Sequence, residues 1–584
     1  MHKSVLMAQI DVQTGALKEN TQKIKDIIQN NIDKDFIVFP EMTISGYNCG
    51  DLFEMPEFIS ECYDKLEEIK SIVGDTVVIL GLPRYTGKYL RNSAAIIHNG
   101  QIVDFYDKIL LANDSHHEDS HYFKSGTEVK TFYLKETHFS VLICEDLWYK
   151  DHTRNLIAEC NDKCNELECI FSLNFSYFTF RKLEKRKELV NQLSLYYYHD
   201  IFYVNSCSIG DILKNYIIYD GASMHYSKGE LVNQSKQFSE DVTNSNNEIK
   251  TDKYSQIYNA LIYSISKIFK ENNLKKALVS VSGGIDSLVV GTLVTHSLGE
   301  NNVVFITTPT NNNSQLTYRN VLNLAKKLKV ELVIEPIQKY VDLYKQDLGN
   351  KYKPLTVATF EADFRTVTCL SLCNERGLAN IGCGNLDESY NGFFAFGDPT
   401  MTSSFQPIDD LTKKEIFNLA EYINKNFGNI IPENMYNGNI KPMAELEDQM
   451  EIVDGKKTGK KDPIDYVLAS GICSALLRGK IHPKTLIKRC VDYYNGCKDE
   501  EIEYFFNEDC VYDKRKLKDF ELKYIIDQII LTYQNNLKSI YKGGCSALNI
   551  MLAGRTIGFS YRKPIISHYK YFDDLKEYGH SFIK

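Results

Sequence analysis

From the N-terminus to about Phe238, short apolar runs alternate with amphipathic stretches: VLMAQI near Val5, FIVFP near Phe36, VVILGLP near Val77, FSVLIC near Phe139 and IFSLNFS near Ile170. Runs of this length, separated by helical periodicity, predict strands and helices in alternation, an α/β region. Residues 239–253, SEDVTNSNNEIKTDK, carry almost no apolar periodicity and predict a linker. Beyond it a helical stretch leads to KKALVSV, a glycine turn, an amphipathic helix, NNVVFITTP, a second helix and VELVIEPI. Strands joined by helices in that order predict a parallel, doubly wound sheet. From about Val491 the chain becomes charged and helical, as in KDFELKYIIDQIILTYQNNL, which predicts an appended helical insert over about 491–542. The expected plan is therefore one domain over 1–238, a linker over 239–253 and a second domain over 254–584, with no internal repeat.

A chain of 584 residues exceeds what one hydrophobic core commonly supports, which agrees with two or three domains. With 43% hydrophobic and 25% charged residues, it belongs with globular rather than disordered or fibrous proteins. The net charge of −9 argues against nonspecific binding to nucleic acid or anionic lipid and favours small-molecule substrates. The opening MHKSVLMAQID lacks a signal-peptide pattern and no run of about 18 apolar residues occurs, so neither secretion nor a membrane span is expected. The 15 cysteines are scattered without a paired CxxC spacing, and reduced thiols in a cytoplasmic protein are expected.

Three residues of chemical interest stand at the ends of apolar runs: Glu41 in FIVFPEM, Lys108 in DFYDKILL and Cys144 in FSVLICEDLW. A strand end delivers a side chain to the rim of a sheet, where active sites collect. A carboxylate to take a thiol proton, a thiolate to attack an amide and an ammonium to stabilise the oxyanion form a complete set for amide hydrolysis. Singly, each has a plainer explanation: a surface carboxylate, a solvated lysine, a buried core thiol.

In the second half, ALVSVSGGIDS places a strand directly before Ser282, Gly283, Gly284, Ile285, Asp286 and Ser287, with a helix following. Glycines let the backbone approach an anion, the turn and helix N-terminus supply N–H donors, and the serine hydroxyls add more. Asp286 is suited to a magnesium ion bridging phosphate oxygens. An ordinary N-capped helix after a glycine turn is the plainer alternative. The GK[ST] ending of a Walker A loop is absent.

Order, spacing and strand context of Glu41, Lys108 and Cys144, with PEM, CEDLW, NFSYF and GDILKNYIIYDG, resemble the nitrilase superfamily and within it the glutaminase domain of NAD synthetases. The strand, SGGIDS and helix resemble the N-type ATP pyrophosphatases, and IGCGNLDESYNGFFAFGDP, PIDDLTKKEI and GRTIGFSYRKPI are similar to segments of the NAD synthetases. The resemblance implies an α-β-β-α nitrilase-like sandwich followed by a doubly wound parallel α/β domain of the adenine nucleotide alpha hydrolase type with extra helices. It implies that Glu41, Lys108 and Cys144 are catalytic, that Glu145, Trp148 and Ser176 lie near bound glutamine, and that Ser282, Gly283, Gly284, Asp286, Ser287 and Lys413 bind ATP. Lys414 is adjacent, so the lysine assignment stands open by one position. Arg365 and Asp398 would face the dinucleotide and ATP, and Asp286 with Glu388 would hold magnesium.

Departures from that pattern are visible, among them QMEIVDG where QxDE is usual. EDSHYF has Asp119 and His121 where Glu and Arg are expected, which bears on loop contacts around the glutamine pocket; the nearby His116 and His117 read as a solvated loop rather than a metal site. Met443 in IKPMAEL replaces a hydroxyl residue, and EADFR retains only Arg365 of an arginine-rich segment. The implied reaction is amidation of deamido-NAD with ATP and glutamine through an adenylated intermediate, giving NAD, AMP, pyrophosphate and glutamate. Because free ammonia loses nucleophilicity on protonation, a protected passage and a homo-oligomer are expected with it. Two other readings stand beside this one: a glutamine-fed adenylating amidase for a different acceptor, and a regulatory protein that senses glutamine and nucleotide without turnover.

Overall fold

The structure, a computed structural model, describes the chain apart from residues 1–2, 114–116, 149–154, 213–214, 244–245, 248, 250–251, 350–351, 395–401, 443–444, 447–449, 454–455, 460–463, 542–547, 554–569 and 584. It separates into two units, residues 1–212 with 216–256, and residues 213–215 with 257–584.

In the first unit β1 (Val5–Met7), α1 (Leu17–Asn30), β2 (Phe36–Val38), α2 (Pro56–Lys70), β3 (Val77–Tyr85), β4 (Leu90–His98) and β5 (Gln101–Asp107) build a sheet in strand order β1-β2-β3-β4-β5. Its first three strands are parallel and the last two pairings antiparallel. Then follow α3 (Asp119–Tyr122), β6 (Thr131–Leu134), β7 (Thr137–Ile143), α4 (Leu156–Lys163), β8 (Cys169–Asn174), α5 (Lys182–Tyr197) and β9 (Asp200–Asn205). The neighbouring strands β10 (Cys207–Ile212) and β11 (Asn215–Asp220) precede β12 (Met224–Ser227) and β13 (Glu230–Gln234). The second sheet runs β13-β12-β9-β8-β7-β6, with β7, β8 and β9 parallel at its centre.

The two sheets of this unit share one buried cluster. Val5, Met7, Phe36, Val38, Val77 and Ile79 meet Phe139, Val141, Ile143, Phe171 and Leu173, and the Phe36 ring lies 5.4 Å from that of Phe139 and 5.2 Å from that of Phe171. Helices cover the outer faces, which is why β2 and β8 are buried at every position and read in sequence as continuous apolar runs. Helix α1 presents Leu17, Thr21, Ile24 and Ile28 inward at helical spacing. The start of the polar stretch after Phe238 is held to this unit: Gln9 bridges Asp241 in antiparallel pairing, and its Nε2 donates to the carbonyls of Lys236 and Ser239, both at 2.7 Å.

The second unit follows α6 (Lys253–Glu271) with β14 (Lys276–Ser280), α7 (Ile285–Leu298), β15 (Val303–Thr307), α8 (Gln315–Leu328), β16 (Glu331–Ile334), α9 (Gln338–Leu348), α10 (Pro354–Arg376), β17 (Leu378–Ile381), α11 (Leu386–Asn391), β18 (Phe405–Gln406) and α12 (Lys413–Phe427). A small hairpin of β19 (Met450–Val453) and β20 (Lys456–Gly459) precedes α13 (Tyr466–Leu477), α14 (Pro483–Tyr494), α15 (Glu500–Phe506), α16 (Leu522–Tyr541), β21 (Leu548–Ile550) and α17 (Lys570–His580). Within this unit the strands lie in the order β21-β18-β17-β14-β15-β16, all parallel. The C-terminal helices form their own core around Ile472, Leu486, Ile526 and Ile529, which also takes in Leu386 and Tyr390 of α11.

That strand order makes β14 the point from which the sheet winds in both directions. The loop after β14 is SGGIDS and the loop after its neighbour β17 is GCGN, so both open at the carboxyl ends beside the topological switch point, where open α/β sheets bind ligands. Gly283 shapes the first loop: its φ is +88°, and a Cβ there would lie 2.1 Å from the Thr317 carbonyl oxygen of α8. A left-handed backbone and a backbone contact this close leave no room for a side chain. Gly283→Ala is expected to destabilise the second unit by about 1–3 kcal/mol, read as a lower urea midpoint; an unchanged midpoint contradicts this account of the loop.

Candidate functional site

Three strand ends converge in the first unit. Glu41 lies just past β2, Lys108 directly after β5 and Cys144 directly after β7, and all three are buried. The Lys108 ammonium donates to Glu41 Oε1 at 2.8 Å and to Asp119 Oδ2 at 2.7 Å. Glu41 also accepts from Asn92 Nδ2 at 2.7 Å and from the Phe175 backbone N–H at 3.0 Å. Asp119 accepts from Tyr47 Oη at 2.5 Å and from the Ala112 N–H at 2.9 Å. Every ion is thus paired and further hydrogen-bonded, the condition under which buried charge is tolerated.

Cys144 leaves the strand on a strained turn. Its φ is +47°, an uncommon value for a non-glycine residue, and it opens the short 3₁₀ helix Cys144–Leu147. Asp146 holds that turn in place. Its carboxylate accepts from the N–H groups of Ile143 at 3.0 Å, Leu110 at 2.8 Å and Ile109 at 3.2 Å, and from Tyr106 Oη at 2.8 Å. One carboxylate therefore ties the cysteine turn to the segment that follows Lys108. Burial pushes Asp146 up to about 6, against the pull of those donors.

The charges in this cluster add up to minus one when Glu41 and Asp119 are ionised around one ammonium. Burial alone would lower Lys108, but Asp119, Glu41 and Cys144 outweigh it and hold the ammonium well above the ordinary lysine range. Burial would raise Asp119, and Lys108 overrides it to hold the carboxyl below its usual range. Cys144 is pushed far above the usual thiol range, by burial first and then by the Glu41 charge, with Lys108 offsetting only part. Losing the thiol proton to solvent would add a second buried negative charge, whereas passing it to Glu41 leaves the total unchanged.

Around this cluster Glu145 is half-buried, Trp148 packs partly buried against the unit's core, and Ser176 is buried, its N–H donating to Asn205 Oδ1 at 2.8 Å. Lys182 was absent from the sequence expectation; its ammonium lies 3.3 Å from the Tyr177 ring centroid and its charge acts on Cys144. Asp119, which in sequence bears on loop contacts, binds Lys108 directly. Its helical turn, α3, is too short to announce itself by periodicity. His117 is buried beside the Tyr47 and Tyr177 rings, with centroids 5.6 Å and 5.0 Å away, and His116 lies outside the described residues.

In the second unit Asp286, on the first turn of α7, and Glu388, on α11, meet at Lys413. The Lys413 ammonium donates to Asp286 Oδ2 at 2.5 Å and to Glu388 Oε1 at 3.0 Å. The lysine side chain is nearly enclosed, while the two carboxylates stay partly open. Thr412 caps α12 with Glu415 in a reciprocal capping box. The Lys413 N–H donates to Asp387 Oδ2 at 2.9 Å, and Ser470 Oγ donates to the same oxygen at 2.5 Å. Burial raises Asp387 to about 6. Lys414 points elsewhere, its ammonium 3.5 Å from the Phe506 carbonyl, so Lys413 is the lysine at this cluster.

The SGGIDS loop is internally braced: Ser287 Oγ donates to the Gly284 carbonyl at 2.9 Å, and the Ser282 and Ser287 hydroxyls are 3.3 Å apart. Asn385 of GCGN donates to Asp286 Oδ1 at 3.2 Å and caps α11 by accepting from the Glu388 N–H at 3.1 Å. Arg365 is half-buried on α10, one turn beyond Glu361, which accepts from Asn312 Nδ2 at 2.9 Å. In KPMAEL, Met443 lies outside the described residues, but Glu445 accepts from the Ser314 N–H at 3.2 Å, Asn313 Nδ2 at 3.0 Å and Thr317 Oγ1 at 2.9 Å, at the start of α8. Asp398 also lies outside the described residues. Among the described residues no group of three or more His, Cys, Asp or Glu is placed to hold a metal, and no helix is long and apolar enough to cross a membrane.

Two sites of this kind on one chain define an amidating ligase with a carbon–nitrogen hydrolase attached. Residues 5–245 match the carbon–nitrogen hydrolase family and residues 257–495 the NAD synthase family. The chain belongs to the family that joins these two domains, the glutamine-dependent NAD(+) synthetases. It is 27% identical over 498 residues to the glutamine-dependent NAD(+) synthetase of Aquifex aeolicus, covering 76% of this chain and 85% of that one. With the Thermotoga maritima protein of the same description it shares 23% identity over 622 aligned positions, covering 97% and 99%. Its fold is that of two solved glutamine-dependent NAD(+) synthetases. The Cytophaga hutchinsonii protein matches with a TM-score of 0.77 at 18% identity, covering 98% of this chain and 99% of that one; the Acinetobacter baumannii protein, solved with ADP, matches at 0.68 and 22%, covering 96% and 98%.

The raised Cys144 thiol has a measurable consequence. A thiol whose folded value lies far above the ordinary one stays protonated as pH rises through the usual range, so in Glu41→Gln, which removes the internal proton acceptor and leaves burial, alkylation by iodoacetamide, followed by mass spectrometry of the Cys144 peptide, is expected still to be accelerating at pH 9. A rate that levels off at or below about pH 8.5, the ordinary thiol value, contradicts this description of the pocket.

Proposed function

We infer that this chain carries out the ATP-dependent amidation of deamido-NAD with nitrogen taken from glutamine, the closing step of NAD synthesis. The observation that carries the reading is the presence on one chain of a Cys144, Glu41 and Lys108 cluster in one unit and a braced SGGIDS loop with Asp286, Glu388 and Lys413 at the switch point of the other.

In the first unit Glu41 takes the Cys144 proton, and the thiolate attacks the side-chain amide carbon of glutamine. The Lys108 ammonium, already in place, faces the oxyanion that forms. The proton held on Glu41 goes to the departing nitrogen, ammonia leaves, and a thioester remains on Cys144. Water, deprotonated by Glu41, hydrolyses it to glutamate. Asp119 keeps Lys108 charged throughout. Glu145, Trp148 and Ser176 are assigned to the glutamine pocket, with Lys182 supplying a positive charge beside it for a carboxylate of the substrate.

In the second unit a carboxylate oxygen of deamido-NAD attacks the α-phosphorus of ATP and pyrophosphate leaves. Ammonia then attacks the acyl carbon, and AMP leaves as NAD forms. Ser282, Gly283, Gly284 and Ser287 are assigned to the phosphates, and Arg365 and Asp398 to the dinucleotide. Asp286 and Glu388 fit magnesium on their own geometry: they already share one cation, Lys413, and magnesium commonly takes one or two protein carboxylates with phosphate oxygens completing its shell. When bound, magnesium neutralises charge on the polyphosphate. Lys413 is assigned to phosphate oxygens of ATP. A homo-oligomer in the cytoplasm belongs to the same reading.

The test uses purified protein with deamido-NAD, ATP, magnesium and either glutamine or ammonium. Cys144→Ala is expected to lose glutamine-driven NAD formation by about three orders of magnitude or more while keeping the ammonium-driven reaction. Lys413→Met is expected to lower AMP and pyrophosphate release about 10²–10³-fold with either nitrogen source. NAD formation from glutamine by Cys144→Ala would remove Cys144 from its role. Absence of NAD from the wild type with both sources, with glutamine still hydrolysed, would point to another acceptor.

A further inference from the structure

Helix α11 is only six residues long, Leu386–Asn391, too short to be stable by itself, and it carries Glu388. Asn385 fixes its N-terminus, as described above. Its last carbonyls run out of i+4 partners, as at any helix end, although the Ser389 carbonyl accepts from the Gly392 N–H at 3.4 Å. Two of them are satisfied from α16: Ser539 Oγ donates to the Ser389 carbonyl, and Asn536 Nδ2 donates to the Tyr390 carbonyl at 3.2 Å. Both α16 side chains are only 1% exposed. Gly392 ends α11 with φ +64°, and a Cβ at that position would lie 2.8 Å from the Ser539 backbone nitrogen, so the two helices meet with backbone against backbone. Leu386 and Tyr390, both fully buried, anchor the same short helix in the core formed by α13, α14 and α16.

We propose that Ser539 and Asn536 are positioning residues that set where Glu388 stands relative to Asp286, so that α16 fixes the metal affinity of the ATP site from behind. This rests on the reading that Asp286 and Glu388 hold magnesium. The C-terminal helices then have a task in the amidation chemistry: Glu388 directly precedes Ser389, whose carbonyl Ser539 holds, and a shift of α11 along α16 moves Glu388 away from the cation shared with Asp286.

Equilibrium dialysis of the full-length protein against Mn2+, with a non-hydrolysable ATP analogue present, measures this without turnover. Ser539→Ala and Asn536→Ala are each expected to raise the Mn2+ concentration for half-saturation about three- to tenfold. Gly392→Ala, which presses on the same seam from the other side, is expected to act in the same direction. Ile526→Ala removes core volume where α16 packs against Gly579 of α17; it is expected to lower the melting temperature at least as much while leaving half-saturation within about twofold of wild type. Unchanged Mn2+ binding in the Ser539 and Asn536 variants, with Glu388→Gln weakened, overturns the positioning role alone, as does a loss in Ile526→Ala matching theirs. Unchanged binding in Glu388→Gln overturns the metal reading and this proposal together.

Discussion

Each unit of this protein places one lysine ammonium between two carboxylates, and much of what surrounds either site follows from that arrangement. Lys108 lies between Glu41 and Asp119, Lys413 between Asp286 and Glu388. A buried ion costs several kcal/mol unless it is paired and its remaining donors and acceptors are met. The first cluster answers that cost with Asn92, Tyr47 and two backbone N–H groups; the second with the capped start of α12 and the Asn385 contact. The two differ in exposure. The Cys144 cluster is closed, so a proton moves within it more readily than out of it. The carboxylates at Lys413 are partly open to solvent.

The fold supplies these clusters by the same device in both units. Strands end together, and the residues just past their ends are brought to one cluster. In the first unit β2, β5 and β7 deliver Glu41, Lys108 and Cys144, and Asp146 locks two of those ends to each other. In the second, β14 and β17 are neighbours at the switch point and deliver the SGGIDS loop and the GCGN segment that leads to Glu388.

Much of this was legible in the sequence because strand ends are. A continuous apolar run followed by a single Glu, Lys or Cys marks both the element and the rim residue, and SGGIDS combines strand, turn and helix in one segment. The residues that escaped notice act through long-range contacts that no local period reports. Asp119 reaches Lys108 from a four-residue helical turn, the Lys182 charge acts on Cys144 from the start of α5, and Asp146 looks like one acid among several in CEDLW. Asp119 did leave a signal, since it stands where the nitrilase-like pattern has another acid. The contact of α16 with α11 spans about 150 positions, and Ser539 and Asn536 are unremarkable polar residues in a helical pattern.

The account joins two chemistries through one nitrogen atom, and labelling that atom tests it most directly. With [amide-15N]glutamine, deamido-NAD, ATP and magnesium, and unlabelled ammonium present in the medium, the mass of the NAD carboxamide is measured alongside glutamate and AMP. The account predicts that the label enters NAD, with AMP formed in step. Glutamate appearing with the label only in free ammonium, and no mass-shifted NAD, would contradict it.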